Sequence, residues 1–199
     1  LDAAGVRQKG KFVGNSLLPY LKKKRKSSGR NMVFAGRERH SSARYNNLGY
    51  PIRVLRTKDL IYIRNFCPER YPAGDPCCID KKGNLTLMHS AYFDIDQGPA
   101  WSYMVAHRDD AEIYPYFMKA VEKRPYEELY NISSDPGCLH NLVGNSKYMK
   151  ELDQLREKMN DTLEQTMDAR MGCSDQDQNI WETYPRLSGE IRSFPMPLF

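Results

Sequence analysis
No stretch of this chain stays apolar for anything near the roughly 18 residues of a membrane-spanning helix, and the first twenty residues lack the apolar centre of a secretory signal. A membrane span is therefore not expected. Metal-ligand spacing is missing too. The five cysteines, Cys67, Cys77, Cys78, Cys138 and Cys173, are odd in number and irregularly placed, and the adjacent Cys77 and Cys78 are not a C-x-x-C pair. His89, His107 and His140 are too scattered to complete a ligand set, so no metal site is expected in this chain. One or two disulfides stay open. There is no repeated interleaving of aromatic and basic residues either, which argues against a nucleic-acid module.

What is present is ordinary for a folded domain: 199 residues, 40% apolar, 11% aromatic, with a net charge of +5. Much of that charge sits in "KKKRKSSGR" at 22–30. The run reads first as a solvated surface loop, with binding of nucleic acid or sulfated polysaccharide, or a nuclear localisation signal, as the alternatives. N-x-S/T sequons begin at Asn84, Asn131 and Asn160 and are weak as glycan signals. The opening "LDAAGV" reads as a helix end capped near Gly5, so the chain is expected to be a piece of a longer one.

Along the chain, "SLLPYL" reads as a short apolar anchor and "NMVFAG" as a brief strand. "YPIRVLRTKD" and "LIYIRNF" are two β-rich runs around a polar joint, the pattern of a hairpin whose apolar face needs a cover. Residues 67–110, rich in Pro, Gly and Asp, read as a long irregular excursion. "AEIYPYFMKAVEKRP" predicts a short helix and "YEELYNI" a further strand closed by the turn "SSDPG". The clearest element is a helix over 146–170, capped by Asn145 or Ser146. Its stripe is Tyr148, Leu152, Leu155, Met159, Leu163 and Met167. After Gly172 the tail has no period and is expected to wrap the surface with Trp181 as its anchor.

The order of these segments carries a resemblance. "LDAAGV", "GNSLLPYL", "FAGRERH", "GYPIRVLRTKDLIYIRNFCPERYPAGDP" and "HRDDAEIYPYFMKAVEKRPYEELYNISSDPGCLHNL", then the amphipathic helix, resemble the C-terminal part of the type I, formylglycine-dependent sulfatases. Within that family they look most like the heparan N-sulfatase (sulfamidase) branch. "GRERH" and "ELYNISSDPGCLHNL" are the most specific pieces, the second resembling the family's "ELYDLxxDPxExxNL". The resemblance implies an α+β unit, a small antiparallel sheet packed on a long C-terminal helix, forming the C-terminal subdomain of an alkaline-phosphatase-like α/β sulfatase. It implies three parts: 1–48 as the end of the large α/β domain, 49–171 as the C-terminal subdomain, and 172–199 as a wrapping tail.

The resemblance also implies the chemistry. Such enzymes hydrolyse sulfate esters or sulfamates with a formylglycine nucleophile and a divalent cation, usually calcium. These groups lie upstream of "LDAAGV" in the family, and the C/S-x-P/A-x-R motif has no counterpart here: Cys67 has Arg70 three residues on, but Glu69 stands where Pro or Ala is required. No catalytic residue or metal ligand is thus expected in this chain, which alone should be inactive without the N-terminal catalytic domain. Its implied share of the site is the "GRERH" loop, with His40, Glu38 and Arg39, and less directly Arg44, as contacts to a sulfated, glycosaminoglycan-like carbohydrate. The competing reading of the loop is ion pairs from Arg37, Arg39 and Glu38 that tie two domains together. Asp94 with Asp96, and Asp109 with Asp110, read as turn or helix-cap residues, and His107 as an ordinary polar contact. The family is mostly periplasmic, secreted or lysosomal, and oligomeric state is not readable. The rival from another class is a non-catalytic module holding a sulfated polysaccharide through the basic run and the "GRERH" loop.

Overall fold
A computed structural model describes residues 2–6, 14–24, 30–77 and 91–171. Strands β1 (Val33–Arg37), β2 (Ile52–Arg56), β3 (Leu60–Asn65) and β4 (Glu127–Asn131) form one antiparallel sheet in the order β1-β2-β3-β4. The expected hairpin is β2 and β3. Its joint is closed by Thr57, whose N–H donates to the Leu60 carbonyl at 2.8 Å and whose hydroxyl accepts from the Leu60 N–H at 2.9 Å.

The register aligns one apolar row across the sheet: Phe34 opposite Leu55, Leu55 opposite Tyr62, and Tyr62 opposite Leu129. Helix α4 (Met149–Gln165) lies on this row with Leu152, Leu155, Met159 and Leu163. Leu55, Tyr62, Leu129, Met159 and Leu163 are all at most 1% exposed, and burying such a side chain stabilises by about 1.5–3 kcal/mol. A turn at Ser146–Tyr148 leads into the helix, and Asn145 caps it by accepting from the Lys147 N–H at 3.1 Å. Met167 departs from the expected stripe. It follows the helix end with φ +51° and stands 89% exposed, because one residue in the left-handed region ends the 3.6-residue period.

The strand expected at "NMVFAG" runs over Val33–Arg37 and pairs with β2 as the edge strand of this sheet. Two further expectations change. The excursion at 67–110 contains a helix, α2 (Pro99–Ala106). Pro99 opens it where a missing N–H costs nothing, and Trp101 buries its inner side. Together with α3 (Tyr114–Val121) it forms a second core, in which the Trp101 and Phe117 rings stack at 5.9 Å and Tyr92 meets both edge-on. "SLLPYL" gives one helical turn, α1 (Leu18–Leu21), but among the described residues Leu17 and Leu21 are 67% and 77% exposed. The tail with Trp181, most of the basic run (residues 25–29) and Asn84 lie outside the described residues. Among the described residues no helix is long and apolar enough to cross a membrane.

Charges close the sheet against the end of α4. Arg53 lies opposite Gly36, and a Cβ at Gly36 would sit 2.7 Å from the Arg53 Cδ. The glycine therefore clears a lane for the arginine stem. Arg53 donates to Asp168 at 2.7 and 2.9 Å and to Glu38 at 2.6 Å, and Glu38 also accepts from Arg170 at 2.5 and 3.1 Å. On the far side, Glu127 accepts from Arg156 at 2.6 Å and from the Tyr62 hydroxyl.

Burial, followed by the hydrogen bond to Glu127, pushes the Tyr62 hydroxyl up to about 12, and burial likewise pushes Tyr92 up to about 12. Tyr50 and Tyr130 are displaced upward as well, again first by burial. An unfolded tyrosine titrates near ~10. The folded state keeps these protons longer, so their stabilisation is complete below about pH 10 and disappears as pH rises through about 12. The denaturation midpoint is expected to fall across that window in step with tyrosinate absorbance. Ionisation of Tyr62 or Tyr92 at ordinary tyrosine pH with the fold intact, separated from the exposed tyrosines by Phe substitution at each site, would contradict it.

Candidate functional site
The loop after β1 folds back on a turn at Tyr45–Asn47. Arg39 donates to the Asn47 carbonyl at 3.2 Å and the Ser42 hydroxyl to the Asn47 side-chain oxygen at 2.6 Å. Two other segments meet it. The Asp75 N–H donates to the Ala43 carbonyl at 2.8 Å, and the Tyr45 N–H returns a bond to the Asp75 carboxylate at 2.7 Å. The Asp94 N–H donates to the Ala73 carbonyl at 3.0 Å. Residues 73–75 are thus sandwiched between the 43–45 and 92–94 segments.

Gly74 makes that sandwich possible. Its φ is +97°, and a Cβ there would come within 2.8 Å of both the Ala43 Cβ and the Phe93 backbone nitrogen. No other residue type fits at this crossing without separating the segments.

The four side chains singled out in the sequence go to three places. Arg44 is 1% exposed: its Nε donates to the Tyr71 carbonyl at 2.7 Å, and its Nη2 to the Pro72 carbonyl at 2.6 Å and to Asp94 at 2.8 Å. Its guanidinium lies 5.5 Å from the centre of the Tyr50 ring, and its Nη1 is buried without a hydrogen-bond partner among the described residues. Burial pulls its pKa below the ordinary arginine value, against Asp94 and Asp75, which favour the charge. Glu38 points the opposite way, into Arg53 and Arg170. Arg39 is engaged with the Asn47 carbonyl. His40 alone keeps most of its surface, 58% exposed, with Nδ1 3.4 Å from Asp94.

Asp94 is the residue that sequence reasoning assigned elsewhere, as a turn or helix-cap group. Its carboxylate is 5% exposed and faces Ser41 at 2.5 Å, Arg44 at 2.8 Å and His40 at 3.4 Å. It lies about fifty residues from the loop it meets, with no shared periodicity to signal the contact. A cavity of about 170 Å³ opens beside this cluster, lined by Arg44, Tyr45, Glu69, Arg70, Tyr71 and Asp75. Burial raises the Asp75 pKa above the ordinary carboxylate value, opposed by the Tyr45 N–H and Arg44. His107 pairs with Asp110 at 2.7 Å on an exposed turn, in keeping with an ordinary polar contact. Among the described residues no three His, Cys, Asp or Glu side chains converge as a group that could hold a metal ion.

The chemistry open to this arrangement is recognition: an exposed imidazole 3.4 Å from a buried carboxylate, whose partner Arg44 also lines a small cavity. No family model and no curated protein matches the chain. Solved structures do. One is assigned as a sulfatase from Bacteroides thetaiotaomicron and another is described as a 2-O GAG sulfatase; each is 18% identical with a TM-score of 0.49 over 89% of this chain. The chain spans 26% of the length of each.

Proposed function
We propose that this chain is the C-terminal part of a sulfatase that hydrolyses sulfate esters or N-sulfates on a glycosaminoglycan-like carbohydrate, and that its loop at 38–44 contributes contacts to the sugar. The observation that supports it best is His40. In the segment most specific to the resemblance, "GRERH", His40 and Arg37 are exposed, and His40 lies beside a buried carboxylate. In this reading formylglycine, calcium and its ligands belong to a catalytic domain outside this chain, and the heparan N-sulfatase branch is the nearest relation. A periplasmic, secreted or lysosomal setting goes with it.

In the full-length protein, His40→Ala is expected to lower kcat/KM towards sulfated glucosamine by about 10- to 100-fold with the fold retained, the loss expected for a hydrogen bond to a charged or polar ligand. The chain described here, assayed beside it, is expected to release no sulfate. A folded, formylglycine-bearing full-length protein that desulfates no N- or O-sulfated sugar would overturn the reading.

A further inference from the structure
We infer that Asp94 is a positioning residue that holds His40 in the tautomer protonated on Nδ1, so that Nε2 is presented outward as a hydrogen-bond acceptor for a ligand hydroxyl. This rests on the proposal that His40 faces the ligand, and deepens it by naming the chemical group His40 takes.

The argument is geometric. The Asp94 carboxylate is nearly sealed from water, at 5% exposed, while His40 beside it is 58% exposed. Its position is set from several directions. The backbone N–H of Asp94 is bonded to Ala73, one oxygen accepts from Arg44 at 2.8 Å, and the other accepts from the Ser41 hydroxyl at 2.5 Å. That second oxygen also faces the His40 Nδ1 at 3.4 Å. An ionised carboxylate only accepts, so the nitrogen turned towards it is favoured as the N–H, and in a neutral imidazole the other nitrogen then carries the lone pair. A free histidine prefers the opposite tautomer, so the bias comes from Asp94.

An acceptor at Nε2 is repelled by a sulfate oxygen and matches a hydroxyl hydrogen. The group that His40 takes is therefore a sugar hydroxyl, with sulfate bound elsewhere. Ser41 and Arg44 alone would hold the loop to Asp94. The third contact is the one that reaches solvent.

The test is long-range nitrogen–proton correlation of the His40 ring in the full-length protein, wild type beside Asp94→Asn, Asp94→Glu and Ser41→Ala, with denaturation curves for each. Wild type is expected to show the Nδ1–H pattern when the ring is neutral. Asp94→Asn should shift it to Nε2–H, Asp94→Glu should restore it at least partly, and Ser41→Ala, which keeps the carboxylate, should leave it in place. With a sulfated sugar, Asp94→Asn should raise KM roughly tenfold, more than it lowers kcat. An Nε2–H ring in wild type, or a ring indifferent to Asp94→Asn in a folded variant, would overturn the inference. A tautomer that follows Asp94 in a protein that turns over no sulfated sugar would support it and remove the sulfatase reading instead.

Discussion

Arg44→Ala is expected to cost about 3–5 kcal/mol of unfolding free energy, because it leaves a buried carboxylate without its ion partner. Asp94 would keep the Ser41 hydroxyl and the His40 ring at 3.4 Å, but nothing with a fixed positive charge. The Tyr71 and Pro72 carbonyls would each lose a donor at the same time, and the Tyr50 ring would lose the guanidinium packed over it. Arg44→Lys should recover only part of the loss, since one ammonium cannot span acceptors that a planar fork reaches together. The readout is the denaturant midpoint at constant slope, with a fall in melting temperature of roughly 10 °C for a chain of this size. A cost under about 1 kcal/mol would mean that the pair is solvated, as surface pairs are, and would return Arg44 to the list of side chains free to meet a ligand.

The second large effect belongs to Glu38. It sits between Arg53 and Arg170, whose side chains are 8% and 1% exposed, and Glu38→Ala withdraws the carboxylate that both arginines share. About 3 kcal/mol is expected, at the low end for a broken buried pair because Glu38 is itself 24% exposed and Asp168 still faces Arg53. High salt should leave the deficit in place, because screening acts weakly on partly buried charges. The same network gives the fold an acid limit. Burial disfavours the Asp168 charge, but the Arg53 hydrogen bonds, then the Arg170 N–H, outweigh it and hold its pKa below the ordinary carboxylate value. A depressed carboxylate contributes stability that is complete above the unfolded value of about 4 and is lost as pH falls through the folded one. Asp168→Asn should flatten that acid limb. If the acid unfolding curve is unchanged in Asp168→Asn, the network is not what gives way.

These two residues also show where reading the sequence stops. Glu38 and Arg44 lie six positions apart in a loop whose charges suggest a ligand, yet one reaches across the sheet to the end of α4 and the other into the 71–94 segment. Nothing local distinguishes a charge that meets solvent from one that meets another element. His40 is separated from them only by its surroundings.

What the sequence determined by itself is what can be read within one window of chain. The three- and four-residue recurrence of Leu152, Leu155, Met159 and Leu163 marks a helix with a buried stripe. Asn145 marks its start, and the β-rich runs at 52–56 and 60–65 around a polar joint mark a hairpin. Backbone propensity, capping and side-chain period act over a turn or two, so a few residues carry them. The tertiary structure decided the rest: that Val33–Arg37 joins the hairpin as an edge strand, that Gly36 and Gly74 stand where an arginine stem and a chain crossing need space, and that Asp94 braces His40. Each depends on which distant segment arrives to satisfy a backbone edge, a void or a buried charge, and desolvation makes that pairing obligatory without writing it into either partner's neighbourhood.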